Sequence, residues 1–443
     1  MSPDAPDRQH RAKDGLYRRL RRNMAYLAGG TGAAALLGMV AVAFNARALT
    51  AREFGMLVLL QTSVLTLRGL FSLLTQQPVI HIGSEALDQG DRARLGRVIG
   101  LALLYDIGGA LAATALGVAG LLLGGEAIGI TDDVRSYALV FAAAIPFMGY
   151  LTANGIFRLL DRFDVMSAIQ SGSAVVLAGA AAALYATEAP FAAYAWTWAI
   201  YLAAAAQVPL WTALWLARRH RIPVSFDLSG VSRADRGKVS AYCWSSWGNT
   251  LVDTVRGQGD SLLVGAMVSV EAAGFYNVAK QVAGVLRKVT DIYSSATFPE
   301  IATLRARGDL ASSRQLRRRL ILAGAIAGLA GIVGIAVVGR PLLGAVFGPA
   351  FIAGYGALVL LVGAAGLQLV AHTQANYVQI YLSPARLLPI YGTALLAFMA
   401  SASVGLQRFG IGGGALGQVA FSATVIVLAS FALRGVLRDR DAA

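Results

Sequence analysis

One after another, about twelve stretches of some 20 or more largely apolar residues run along this chain, separated by short polar breaks. A helix needs about 20 such residues to cross the roughly 30 Å hydrocarbon core of a bilayer. The candidate spans are 24–48, 54–77, 98–124, 136–157, 165–186, 191–216, 239–269, 272–298, 320–339, 353–381, 388–406 and 412–434. The seventh and eighth each hold several charges. They are kept because the pattern on either side requires two crossings there. The chain is 56% hydrophobic and 14% charged. Soluble chains carry about 25% charged residues. The expected fold class is all-α integral membrane, with about twelve transmembrane helices in two six-helix bundles.

The net charge of +14 would suit nucleic acid. Its distribution does not, and no nucleic-acid partner is expected. The cations fall in short clusters between apolar runs, as the positive-inside rule anticipates. Arg47, Arg52, Arg135, Arg340 and Arg408 would lie on the periplasmic side, and Arg68, Arg256, Lys280, Arg287 and Lys288 inside spans. All other lysines and arginines fall on the cytoplasmic side, so both termini are expected there. Arg8 to Arg22 followed by the apolar 24–48 read as a signal anchor, too long for a cleaved signal's core of about 7–15 residues. Tyr194, Trp196 and Trp198 at one end of span six, with Trp211 and Trp215 at the other, suit interfacial belts.

The resulting order is a basic arm (1–23), a first bundle (24–216), a cytoplasmic linker (217–238), a second bundle (239–435) and a short tail (436–443). A faint repeat supports the division. Leu49-Thr50 leads to Gly55-Met56 as Val268-Ser269 leads to Gly274-Phe275, and Ala153-Asn154 corresponds to Ala375-Asn376. Matched halves are a common transporter plan.

Chemistry is concentrated in the polar residues within spans. Asn249, Asp253, Arg256 and Asp260 are spaced four, three and four apart, which puts them on one helical face. Span eight adds Lys280, Arg287, Lys288 and Asp291. Charges at the bilayer centre cost roughly 2.5–3.5 kcal/mol each, so these must face protein or water. They are either helix-to-helix ion pairs (Asp253–Arg256, Arg256–Asp260, Arg287–Asp291) or the cations of a wet cavity for an anionic ligand. Four cations against three aspartates, with Arg68 as a fifth cation, favour the cavity. Gln61, Arg68, Ser72 and Thr75 share a face in span two, and Gln368, His372, Asn376 and Gln379 share one in span ten. Amides at such spacing serve sugar hydroxyls or helix contacts equally. His372 reads as a hydrogen-bonded interior histidine before a proton relay. Asp106 is placed near water, Arg317-Arg318-Arg319 at a headgroup surface, and the single Cys243 as a small apolar helix residue.

The chain lacks a Walker A sequence, HExxH and a GxSxG elbow, and its four histidines are scattered. No enzyme, cofactor or metal is expected. The sequence nevertheless resembles the polysaccharide flippases of the bacterial MOP superfamily, the Wzx or polysaccharide-transporter type. The likeness rests on Ala48-Leu49-Thr50 leading to Phe54-Gly55, on Asn154-Gly155-Ile156-Phe157-Arg158 leading to Arg162-Phe163, and on Asp260-Ser261-Leu262-Leu263-Val264-Gly265. Ala273-Gly274-Phe275-Tyr276 with Ala279, Phe298-Pro299-Glu300 and Phe347-Gly348-Pro349-Ala350-Phe351 complete it. The resemblance implies two bundles around a central cavity in the bacterial inner membrane. It implies transport of an undecaprenyl-diphosphate-linked oligosaccharide to the periplasmic leaflet for O-antigen, capsule or exopolysaccharide, beside a glycan polymerase and chain-length regulator. Arg68, Arg256, Lys280, Arg287 and Lys288 would then meet the diphosphate, since arginine offers a planar fork and lysine a point charge. Asn249, Gln61, Gln368, His372 and Asn376 would meet sugar. Asp253, Asp260 and Asp291 would couple protons or sodium. A MATE-type drug antiporter is the rival, though span cations exceed span acids by five to four. A non-transporting scaffold would not need the polar stripes.

Overall fold

The computed structural model describes residues 26, 29–124, 132–227 and 229–438, apart from the side chains of 124, 132–133, 246, 287–296 and 436–438. The basic arm, and the side chains of Arg287, Lys288 and Asp291, lie outside the described residues.

Among the described residues, fourteen α-helices follow one another and no strand occurs: α1 (Gly29–Ala48), α2 (Ala51–Leu70), α3 (Gln76–Asp88), α4 (Arg92–Gly124), α5 (Asp132–Ala144), α6 (Leu151–Leu159), α7 (Phe163–Ala186), α8 (Phe191–Arg219), α9 (Arg233–Met267), α10 (Val270–Ala306), α11 (Leu310–Phe347), α12 (Tyr355–Tyr381), α13 (Leu387–Phe409) and α14 (Ile411–Arg438). Short connections between long helices force antiparallel neighbours. Each half contributes six crossings, because α2 with α3, and α5 with α6, are single spans broken in the middle. Among the described residues, nine helical stretches are long and apolar enough to cross a membrane. The crossings α2, α9 and α10 are not among them. These three pack on one another, so protein rather than lipid takes up part of their surface.

The helix ends have local causes. Thr50 caps α2, accepting from the Glu53 amide while the Glu53 carboxylate accepts from the Thr50 amide. Ser269 caps α10 in the matching place by accepting from the Ala272 amide. Five residues into each helix stand Gly55 and Gly274. A Cβ on Gly274 would lie 3.2 Å from the Gly55 Cα. The two sequence repeats therefore meet where α2 crosses α10, on the face away from the linker.

Several expectations are corrected. Span two is not continuous over 54–77; its helix stops at Leu70 and resumes at Gln76. Within the 217–238 linker, α8 continues to Arg219 and α9 starts at Arg233. The linker backbone lies on α4, where the Pro223 and Ser225 carbonyls approach Gly96 and Gly100 too closely for any Cβ. Tyr194 is 1% exposed and belongs to the core, whereas Trp196, Trp211 and Trp215 are about half exposed, as a belt requires. Arg317 does not merely sit at a headgroup surface. It turns inward and donates to Gln374 Oε1 at 2.8 Å. Cys243 is buried among Leu73, Ile82, Val98 and Val239, as expected. Arg47, Arg52, Arg135, Arg340 and Arg408 all fall at or near helix ends on the face away from the linker.

Candidate functional site

The face predicted on span seven is real. Along α9, Asn249 and Asp253 are exposed, the Arg256 side chain is 12% exposed and Asp260 is fully shielded. The four residues thus descend from an accessible surface into the second half. Since an aspartate in contact with acyl chains is costly, the exposed end opens on water. Asp253 Oδ1 lies 3.7 Å from an Arg256 terminal nitrogen, close enough for attraction and too long for a tight bridge. The guanidinium also reaches Gln418 Oε1 at 3.5 Å and sits 5.2 Å over the Phe421 ring. A cavity of about 80 Å³ adjoins it, lined by Asp253, Arg256, Gln368, His372, Tyr391 and Phe421 among others.

Deeper in, the expected Arg256–Asp260 pair is replaced. Asp260 pairs with Lys280 from α10, Nζ to Oδ1 being 2.5 Å. The helical spacing that allowed the first pair said nothing of a long side chain arriving from the next helix. Tyr276 and Gln418 each donate to Asp260 Oδ2 at 2.9 Å, and Gln418 also donates to the Arg256 carbonyl at 2.7 Å. Lys280 is thus engaged with Asp260 inside the bundle, with 18% of its side chain exposed. Gln368 and His372 are hydrogen-bonded at 3.2 Å, which fits the interior reading of the histidine. Asn376 is half-buried one turn further along α12, and Gln61 is half-buried on α2.

Arg68 is buried against main-chain oxygens. It is 4% exposed and donates to four backbone carbonyls: Met148 (2.8 Å), Gly149 (2.5 Å), Phe71 (3.3 Å) and Asp106 (3.5 Å). Met148 and Gly149 form the break between α5 and α6, and Phe71 ends α2. Asp106, expected near water, is 1% exposed. It accepts from Thr75 Oγ1 at 2.9 Å and from the Thr152 amide, in the first turn of α6, at 3.1 Å. A carboxylate at a helix start and a guanidinium at freed carbonyls satisfy the groups that broken helices expose. Broken helices are what the sequence did not reveal, although Pro146 and Gly149, with φ of +71°, mark one of them.

Two further contacts join the halves and were not foreseen. At the linker face, Arg94 of α4 grips Asp235 of α9 through two bonds of 2.9 and 2.8 Å, and Glu85 lies 3.4 Å from Arg94 and 3.8 Å from Lys238. The guanidinium holds the Asp235 carboxyl below the usual carboxylate range. At the opposite face, Arg47 donates to the Val346 and Ala345 carbonyls at the end of α11. Gln418 and Tyr276 were also missed. The only trace of the first is a lone amide in an apolar run.

A family model described as "Polysaccharide biosynthesis protein" matches residues 132–353. The inner membrane protein YghQ of Escherichia coli K12 is 25% identical over 348 residues, covering 78% of this chain and 98% of its own. The probable flippase AglR of Haloferax volcanii is 32% identical over 130 residues, 28% of this chain and 26% of its own. Among solved structures, an inward-facing multidrug resistance MATE transporter of the MOP superfamily superposes with a TM-score of 0.69 at 13% identity, over 92% of this chain and 96% of that one. The lipid II flippase MurJ, in an inward closed conformation, gives 0.69 at 11% identity, over 91% and 86%. Similarity at that level speaks for a shared two-lobed, twelve-helix fold.

Proposed function

Since the chain belongs to the polysaccharide biosynthesis protein family, we propose that it flips a polyprenyl-diphosphate-linked oligosaccharide from the cytoplasmic to the periplasmic leaflet of the inner membrane. The linker and both termini are then cytoplasmic. The observation that carries this reading is Arg256, a shielded guanidinium at the rim of a wet recess, loosely paired with an exposed aspartate. A diphosphate entering the recess takes the fork of donors in place of Asp253. Gln368, His372 and Asn376 on α12, with Asn249 on α9, offer donors and acceptors to sugar hydroxyls. Arg287 and Lys288 on α10 are the further phosphate candidates, and Asp253 and Asp291 the candidates for ion coupling. The halves rock about this region, with the polyprenyl tail remaining in lipid.

The test is Arg256→Ala, scored by lipid-linked oligosaccharide reaching the outer leaflet at matched protein abundance. A loss of at least tenfold is expected, with partial recovery in Arg256→Lys. Undiminished flipping refutes the role. The second reading, cation-coupled drug efflux, is favoured by one observation: the most accessible charge of the α9 face is an acid, Asp253, with its side chain 73% exposed. Under that reading Asp253→Asn sensitises cells to cationic drugs and leaves glycan export intact.

A further inference from the structure

The second half of the molecule encloses an oxygen cage with an amine at its centre. Lys280 Nζ lies 2.5 Å from the Gly257 carbonyl oxygen, 2.5 Å from Asp260 Oδ1 and 3.3 Å from Ser261 Oγ. A carbonyl, a carboxylate and a hydroxyl are hard oxygen donors, the set that suits a small hard cation. The rest of the cage is fully committed. The Ser261 amide donates to Asp260 Oδ1 at 2.8 Å, and Tyr276 and Gln418 occupy Oδ2. No part of the Asp260 side chain is exposed, and 18% of Lys280 is. Beside the ammonium lies a cavity of about 40 Å³, bordered by Gly284, Leu361, Gln368 and Gln418. That exceeds the 10–15 Å³ or so that one water needs.

We propose that the Lys280 ammonium is a tethered counter-ion, standing permanently where a free monovalent cation would otherwise be held, and that shortening Lys280 converts the cage into a sodium site. A shielded carboxylate left without its partner is strongly unfavourable. The vacated volume joins the adjoining cavity, leaving room for an ion and a water against donors already in place. The intact protein therefore draws no stability from sodium at this site, and whatever ion drives its cycle binds elsewhere. The inference does not depend on what the protein carries, so it stands or falls apart from the glycolipid reading.

Thermal unfolding of the full-length protein in detergent tests it, in sodium chloride against choline chloride at equal ionic strength. The wild type is expected to unfold at the same temperature in both. Lys280→Ala is expected to unfold earlier in choline and to be restored saturably by sodium, as binding to the folded state requires. Adding Asp260→Asn to that variant abolishes the restoration. A sodium-specific stabilisation of the wild type that Asp260→Asn removes overturns the proposal, because the cage would then take a metal ion alongside the lysine. A folded Lys280→Ala protein indifferent to sodium overturns it equally. Lys280→Ser, which leaves similar room and adds a hydroxyl, is judged by the same results should the alanine variant not fold, and the wild-type comparison needs neither.

Discussion

Replacing Gly55 by alanine places a methyl carbon 2.0 Å from the Val270 carbonyl oxygen and 2.7 Å from its carbon. Carbon and carbonyl oxygen approach no closer than about 3.3 Å across packed helices. The α2 and α10 backbones must therefore part by roughly 1.3 Å, the difference between that limit and the distance found. Overpacking of this kind costs about 1–3 kcal/mol. The cost falls only on a conformation in which the halves touch at the face away from the linker. A conformation parted there escapes it, so the variant shifts the balance between the two by about 5–150-fold. Gly274→Ala is the internal control. Its nearest neighbours are the Phe54 ring at 3.0 Å and the Gly55 backbone at 3.2 Å, so a slight yielding accommodates it and the shift is smaller. Spin labels at Arg52→Cys and Met267→Cys report the separation by pulsed dipolar spectroscopy, since Met267 is exposed and the native Cys243 is buried. Gly55→Ala is expected to populate a longer distance than the parent, and Gly274→Ala an intermediate mixture. Identical distance distributions and unchanged thermal stability in Gly55→Ala would refute the reasoning.

Three other outcomes follow from the same geometry. Arg68→Met strips the Met148, Gly149 and Phe71 carbonyls of their donor and should lower the folded yield severely, whereas Arg256→Ala should leave yield near wild type; fluorescence-detected size exclusion separates the two. Asp235→Asn at the linker face should destabilise by about 1.5–3 kcal/mol at neutral pH, because Arg94 loses its two-pronged carboxylate partner and keeps only Glu85 at 3.4 Å. The Asp235 carboxyl is held low in the folded state, so its contribution is present above the ordinary carboxylate value of about 3.9 and disappears as pH falls through the depressed folded value. The gap between wild type and variant should thus persist at pH 5 and close only below about pH 4 in thermal scans. Tyr276→Phe removes a bond to a buried carboxylate and should cost about 1.5–3 kcal/mol, read as an earlier unfolding transition.

How far these residues could be read from the chain depends on what each one meets. Span positions follow from composition along one dimension, and they appear in the helices. The two spans kept against their hydropathy, α9 and α10, are real because protein covers part of their surface. The face from Asn249 to Asp260 was legible because 3.6-residue periodicity fixes direction around one helix. Periodicity is silent on what stands opposite. Lys280 was assigned to the ligand because nothing local showed that it bends back to Asp260. Arg68 was assigned likewise because its acceptors are main-chain oxygens some 80 residues away, and main-chain acceptors leave no mark in residue identity. The breaks in α2–α3 and α5–α6, the cause of those free carbonyls, lie within apolar stretches that look continuous.

The burial of Arg68 and Asp106 at two interrupted helices bears on how any charge-scanning experiment is interpreted. A screen that scores surface glycan would rank Arg68 alongside a genuine cargo contact, because a bundle that cannot close its own helix ends never reaches the membrane in quantity. Normalising transport to the amount of folded protein moves Arg68 out of that group, and keeps Arg256 in it only if the proposed contact between Arg256 and cargo is made. Loss of function after neutralising a mid-membrane arginine therefore identifies a substrate contact here only when the protein count is held equal.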